Sequence, residues 1–256
     1  MNKNSQCPRS LCASASALLV CLLIAAVVAP VSAETAHGIT PFKAEYRVEN
    51  NYITGGIATL SLTPKDSGGF DFVLQSKPTG VFKWTGNGNI REHAVLPSLN
   101  SPFESTQYDY NDKGKPKRNY RVDFDREAGQ FEMQRGNESN RYPLQTGVVD
   151  RLSVTLALLH KLKQDPNFES MQLQVLDGST AETLTYSNHG IEPISTAIGK
   201  FDANRILKDR VNSNRETIIW LAEVGESNTV LPLKIEQYKR DKLTLRLIIS
   251  NFTLIE

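Results

Sequence analysis

Few residues in this chain have the types and spacing that chemistry requires. Four histidines, His37, His93, His160 and His189, lie in separate stretches. No two have the H-x-x-x-H spacing that would put a pair of zinc ligands on one helix face. No G-x-S-x-G elbow presents a nucleophilic serine. Ser153 follows Asp150, but no histidine stands in register to take its proton. The run Gly86-Asn87-Gly88-Asn89 lacks the Lys-Ser/Thr ending and the following helix of a phosphate loop, and reads as a β-turn. Asp123 and Asp125 bracket Phe124 and face solvent if Tyr120, Val122 and Phe124 point inward. Glu45 and Glu49 stand likewise opposite Phe42 and Tyr46. Neither pair reads as the two carboxylates of a glycosidase.

Asp150 is the acid best placed to matter. It opens a helical pattern just after Gly147, where a carboxylate can accept exposed N–H groups and meet the positive end of the helix dipole. The expectation is a structural helix-terminus residue; the functional alternative is a general acid/base at a cavity mouth. Three aromatics are candidates to line such a cavity. Phe82 and Trp84 share a strand face between Gly80 and Gly86, and Trp220 stands between Ile219 and Leu221. Core packing is the competing role for all three. The residues point to no metal and no cofactor.

The chain has 256 residues, 29 Lys and Arg against 28 Asp and Glu, and a formal charge of +1. That balance offers no electrostatic footprint for nucleic acid. Lys3 and Arg9 precede an apolar run from about Ala13 to Val28, followed by Pro30 and the small triplet Val31-Ser32-Ala33. This pattern predicts a signal peptide over residues 1–33, cleaved after Ala33, and export to a periplasm. After cleavage no stable membrane span is expected. All three cysteines, Cys7, Cys12 and Cys21, fall in this leader. The mature chain would then carry no disulfide, thiolate metal site or cysteine nucleophile. Cys21 sits inside the apolar run after Val20, which argues against lipidation. About 220 residues can bury an adequate core without such staples.

The elements that must position these residues are mostly strands. Period-two alternation recurs at Phe42-Ala44-Tyr46-Val48, Ala58-Leu60-Leu62, Phe70-Phe72-Leu74, Tyr120-Val122-Phe124, Leu184-Tyr186 and Leu243-Leu245-Leu247-Ile249. Glycine and proline turns separate them, as in 111–116. One segment departs from the pattern. Val148, Val149, Leu152, Leu156, Leu159 and Leu162 form a helical stripe over about 148–163, stopped by Asp165-Pro166. No linker divides 34–256. The expected fold is therefore one mainly β domain: a strongly curved antiparallel sheet or open barrel with one central amphipathic helix packed on its concave side.

Several stretches, in order, carry a family resemblance. They are Ala44-Glu45-Tyr46-Arg47-Val48, Gly56-Ile57-Ala58-Thr59-Leu60, Gly147-Val148-Val149-Asp150-Arg151-Leu152-Ser153, Ile198-Gly199-Lys200-Phe201, Trp220 and Leu231-Pro232-Leu233-Lys234-Ile235. The chain resembles a family of bacterial periplasmic proteins described as a domain of unknown function, family 3108. That resemblance implies an exported, mainly β protein and transfers no catalytic residue. A looser likeness, of fold alone, is to periplasmic lipoprotein carriers and receptors, half-open barrels with a helical lid over an apolar cavity.

The leading expectation is a non-catalytic periplasmic protein that binds a lipid or other apolar ligand within the curved sheet. An envelope interaction or assembly factor with a protein partner is the second reading. A hydrolase with a spatially assembled site is the third.

Overall fold

A computed structural model describes residues 38–50, 53–80, 88–209, 214–226 and 228–255. Phe82, Trp84, His37 and the expected leader lie outside the described residues. Fifteen strands follow in chain order. The first eight are β1 (Phe42–Asn50), β2 (Ile53–Pro64), β3 (Phe70–Pro78), β4 (Ile90–Leu96), β5 (Gln107–Asp112), β6 (Tyr120–Asp125), β7 (Gln130–Arg135) and β8 (Glu138–Pro143). Then come β9 (Val148–Asp150), helix α1 (Ser153–Gln164), β10 (Ser170–Asp177), β11 (Thr180–Thr196), β12 (Gly199–Asp209), β13 (Arg215–Val224), β14 (Thr229–Lys239) and β15 (Lys242–Leu254).

All fifteen strands join one open sheet, ordered β8 through β1, then β15 down to β9. The chain runs outward through one meander, jumps to the far edge through 144–147, and returns through a second meander. Every pairing is antiparallel except β9 with β10. The sequence alternation survives as burial. On β6 it is perfect, with Tyr120, Val122 and Phe124 buried and Arg121, Asp123 and Asp125 exposed. Register shifts in the β1–β15, β1–β2, β13–β14 and β14–β15 pairs fall near the middle of the sheet. Such bulges bend strands and raise their twist, which curves the sheet. β15 is central, paired with both β1 and β14.

All the buried apolar residues but Leu243 form one cluster, which includes the inward side chains of β1–β7 and the helix. Phe42 and Phe72 meet edge-on at 6.5 Å. From α1, Val154, Leu156, Ala157, Leu158, Leu159 and Leu162 are buried, more than a stripe, as expected for a helix enclosed by a curved sheet. At its end Asp165 N–H donates to the Lys161 carbonyl at 2.9 Å before Pro166.

The helix is shorter than the 148–163 expected from periodicity. Val148–Asp150 is a strand, paired in parallel with Gln174–Leu176. Two β-branched valines favour an extended backbone, and a ladder on β10 was available to them. The same apolar positions fit a helical stripe and an edge strand. Arg126 ties this edge to the opposite half of the sheet. Its guanidinium donates to the Val148 carbonyl at 3.0 Å and to the Ser105 carbonyl at 3.1 Å. It also pairs with Glu104 at 3.1 Å, which in turn accepts the Gly147 N–H at 3.0 Å.

No helix among the described residues is long and apolar enough to cross a membrane.

Leu156 is fully buried between helix and sheet. Leu156→Ala should lower unfolding stability by about 2–5 kcal/mol, measured by urea denaturation. A loss well below this range would show that the helix packs loosely.

Candidate functional site

The concave face of the sheet is not filled. A cavity of about 470 Å³ lies between the inner faces of β1–β4, the neighbouring β14 and β15, and the start of α1. Its wall is largely apolar: Tyr46, Val48, Ala58, Leu60, Leu74, Ile90, Ile235, Leu245 and Leu247. Strand alternation puts these residues there, since Tyr46 and Val48 share one face of β1, as do Ala58 and Leu60 on β2. Gly56 continues that face. A Cβ there would come within 2.6 Å of the Lys77 carbonyl oxygen, so the close approach of β3 requires glycine.

A second cavity, of about 560 Å³, lies beyond Arg151 and Leu152, against β10–β15. It is polar, with Asp177, Glu182, Lys208, Arg215 and Thr217 on its wall. The two share Leu74, Glu92, Arg151, Leu152, Thr155 and Gln237. They are two chambers meeting at the turn that begins the helix.

That junction is charged. Glu92 is an acid at an inward position of β4, between Ile90 and Ala94. Tyr108, directly across from the neighbouring Ala94 on β5, donates its hydroxyl to Glu92 Oε2. Arg151 Nη2 lies 3.8 Å from Glu92 Oε1, and its Nη1 lies 3.5 Å from Asp177 Oδ1. The Tyr110 ring stands 5.5 Å from the guanidinium. Burial disfavours the Arg151 cation, but Glu92 first, then Tyr108, Tyr120 and Asp177, outweigh it and its pKa rises. Burial, then the Glu92 charge, pushes the Tyr108 hydroxyl well above its ordinary value, so it remains a neutral donor.

Asp150 is fully buried and its bonds stay within its own turn. Oδ1 accepts the N–H groups of Leu152 at 2.8 Å and Ser153 at 2.9 Å. Oδ2 accepts the Ser153 hydroxyl at 2.5 Å. These contacts close the turn ahead of α1, whose own N-cap residue, Leu152, has no side-chain cap, and they fix the direction in which Arg151 and Leu152 leave the turn.

Trp220 is buried but lines neither chamber. Ile219 is paired with Ile235, a wall residue of the apolar chamber, so alternation along β13 turns Ile218 and Trp220 to the opposite face of the sheet. There Trp220 is paired with Arg205 and Lys234, donates its indole N–H to Glu192 at 3.0 Å, and lies under the Lys234 ammonium at 3.5 Å. Glu49, expected at the surface, is buried on that same outer face. It accepts Arg47 at 2.8 Å and Arg246 at 3.2 Å.

The described histidines do not converge. His93 points outward from β4, 2.7 Å from Asp71 and 3.8 Å from Asp109. His160 packs edge-on against Phe103 at 5.2 Å. Among the described residues no group of three or more His, Cys, Asp or Glu side chains is arranged to hold a metal ion. The residues that sequence reasoning missed are Glu92, Tyr108, Tyr110, Arg151 and Gln237, drawn from β4, β5, the helix turn and β14. One signal was present: Glu92 is a charge at an inward position of an alternating strand.

Asp150→Asn keeps an oxygen for the two N–H groups and loses the acceptor for Ser153. It should cost about 0.5–2 kcal/mol in urea unfolding. Trp220→Phe removes one hydrogen bond at about 1 kcal/mol, and it should leave uptake of an apolar dye by the cavity unchanged. Loss of uptake in Trp220→Phe would place that residue in the binding machinery.

Comparison with known proteins gives a family and a fold. No curated protein matches the chain. Among solved structures, a beta-barrel-like protein of domain of unknown function DUF1849 from Brucella abortus is similar at 10% identity and a TM-score of 0.50. The match covers 86% of this chain and 99% of that one. A putative exported protein with a YmcC-like fold from Bacteroides fragilis matches at 9% identity and a TM-score of 0.31, over 84% of this chain and 99% of that one. The first likeness agrees with the open, curved antiparallel sheet. Residues 44–242 match the family model described as "Protein of unknown function (DUF3108)", so the chain belongs to that family.

Proposed function

We propose that the protein is an exported, non-catalytic binding protein that carries an apolar ligand in the chamber between the sheet and α1. The observation that carries this reading is the chamber itself. A volume of about 470 Å³ falls within the range of small-molecule sites, about 300–1,000 Å³. Its apolar wall would gain from exchanging water for hydrocarbon. The open edge of the sheet between β8 and β9 leaves the architecture unclosed, and α1, the one α-helix among the described residues, leaves part of the concave face uncovered. The positively charged, then apolar, then small-residue pattern of residues 1–33 supports export and a periplasmic location. Asp150 uses both carboxylate oxygens on its own turn, which supports a structural rather than a catalytic role.

The neutral dye N-phenyl-1-naphthylamine probes this chamber. The full chain, purified without detergent, should raise the dye's fluorescence saturably. Val48→Trp, which fills the chamber from β1, should weaken uptake about tenfold or more while costing about 1–3 kcal/mol of stability. Native mass spectrometry of the wild type should show an extractable non-covalent adduct. Absence of both dye uptake and adduct would overturn the reading.

A further inference from the structure

The apolar chamber does not end on an apolar wall. It ends on Arg151, the one cation among the six side chains that the two chambers share. A guanidinium offers five N–H donors in a planar fork that matches a carboxylate or phosphate. Among the described residues Arg151 donates a single hydrogen bond, at 3.5 Å to Asp177. Its approach to Glu92 is 3.8 Å. Both distances exceed the roughly 2.7–2.9 Å of a tight charge-assisted bond. The fork is therefore held in place but not saturated. Its side chain retains 40% of its surface accessible, at the meeting point of the chambers. The Tyr110 ring steadies it from the apolar side.

Glu92, the opposite charge at the junction, is more fully engaged. One oxygen accepts the Tyr108 hydroxyl and the other faces Arg151. It offers less to an incoming cation than Arg151 offers to an anion. The polar chamber beyond carries four basic and four acidic side chains, so its overall charge selects nothing. Selection falls on the junction. A plain hydrocarbon filling the apolar chamber would press against a charged group without pairing it, which is unfavourable.

The geometry points to an amphiphile with an anionic head as the ligand: its chain lies along Val48, Leu60, Ile90 and Leu247, and its carboxylate or phosphate sits on Arg151. This rests on the reading that the apolar chamber takes a ligand at all. No covalent step is involved. Arg151 is a binding residue, Glu92 and Tyr110 position it, and Asp150 sets the turn from which it projects.

Three probes of equal chain length test the assignment: tetradecanoate, tetradecyl phosphate and the neutral tetradecanol, each displacing N-phenyl-1-naphthylamine from the full chain. Both anions should displace the dye at about tenfold lower concentration than the alcohol, the scale of one charge-assisted pair. The tighter of the two anions identifies the head group. In Arg151→Gln the gap between anions and alcohol should collapse, each displacement being referred to that variant's own dye affinity. Tetradecanol binding as tightly as the anions in the wild type would overturn the assignment without needing any variant. So would a gap that survives in Arg151→Gln. Failure of the wild type to take up the dye would instead sink the chamber reading itself.

Discussion

Among the described residues one short α-helix must serve a very long concave face. Twelve residues of α1 span about 18 Å, whereas fifteen strands at about 4.8 Å spacing make an arc of roughly 70 Å. Curvature lets the sheet wrap toward the helix, and bulges near β1 and β15 provide it. The helix still cannot reach everything. Leu156, Leu158 and Leu159 are buried to within 1%. Near the start of α1, Leu152 and Thr155 border open space instead. The chamber is what remains when a buried, apolar surface is larger than the element that covers it.

The turn that opens the helix organises that space. Asp150 closes it, Arg151 stands at the junction of the two chambers, and Leu152 walls both. The edge strand β9 enters this turn from one side and α1 leaves on the other. Arg126 and Glu104 hold the entry by binding the Val148 carbonyl and the Gly147 N–H. A buried carboxylate whose acceptors are all used is costly to disturb. The three successive residues therefore couple fold and site: the carboxylate that closes the turn into the helix also aims the cation.

Alternation made the fold legible. Residues such as Tyr120, Val122 and Phe124 point inward because their polar neighbours cannot. Where both parities are apolar, the signal fails. Ile218, Ile219, Trp220 and Leu221 follow one another, so the sequence does not say which face is concave, and Trp220 turns out to belong to the outer one. Val148 and Val149 fit a helical stripe as well as a strand, and only the ladder on β10 decides between them. Phe82 and Trp84 lie outside the described residues. The charged junction was illegible for a different reason. Glu92, Tyr110, Arg151 and Gln237 are far apart in the chain and form no motif; fifteen paired strands bring them together. Arg151 did stand within the Gly147–Ser153 stretch that carries the family resemblance, yet nothing local distinguishes it from a surface arginine.

The proposed function requires that the gap between sheet and helix be a true binding chamber rather than slack in a core that closes up in solution. The decisive experiment is a crystal structure of the chain purified without detergent and soaked with tetradecanoate. Elongated density is expected along Val48, Leu60 and Leu247, ending at the Arg151 guanidinium. A helix settled onto β1–β4, with Leu152 packed against Leu60 and no room between them, would contradict it.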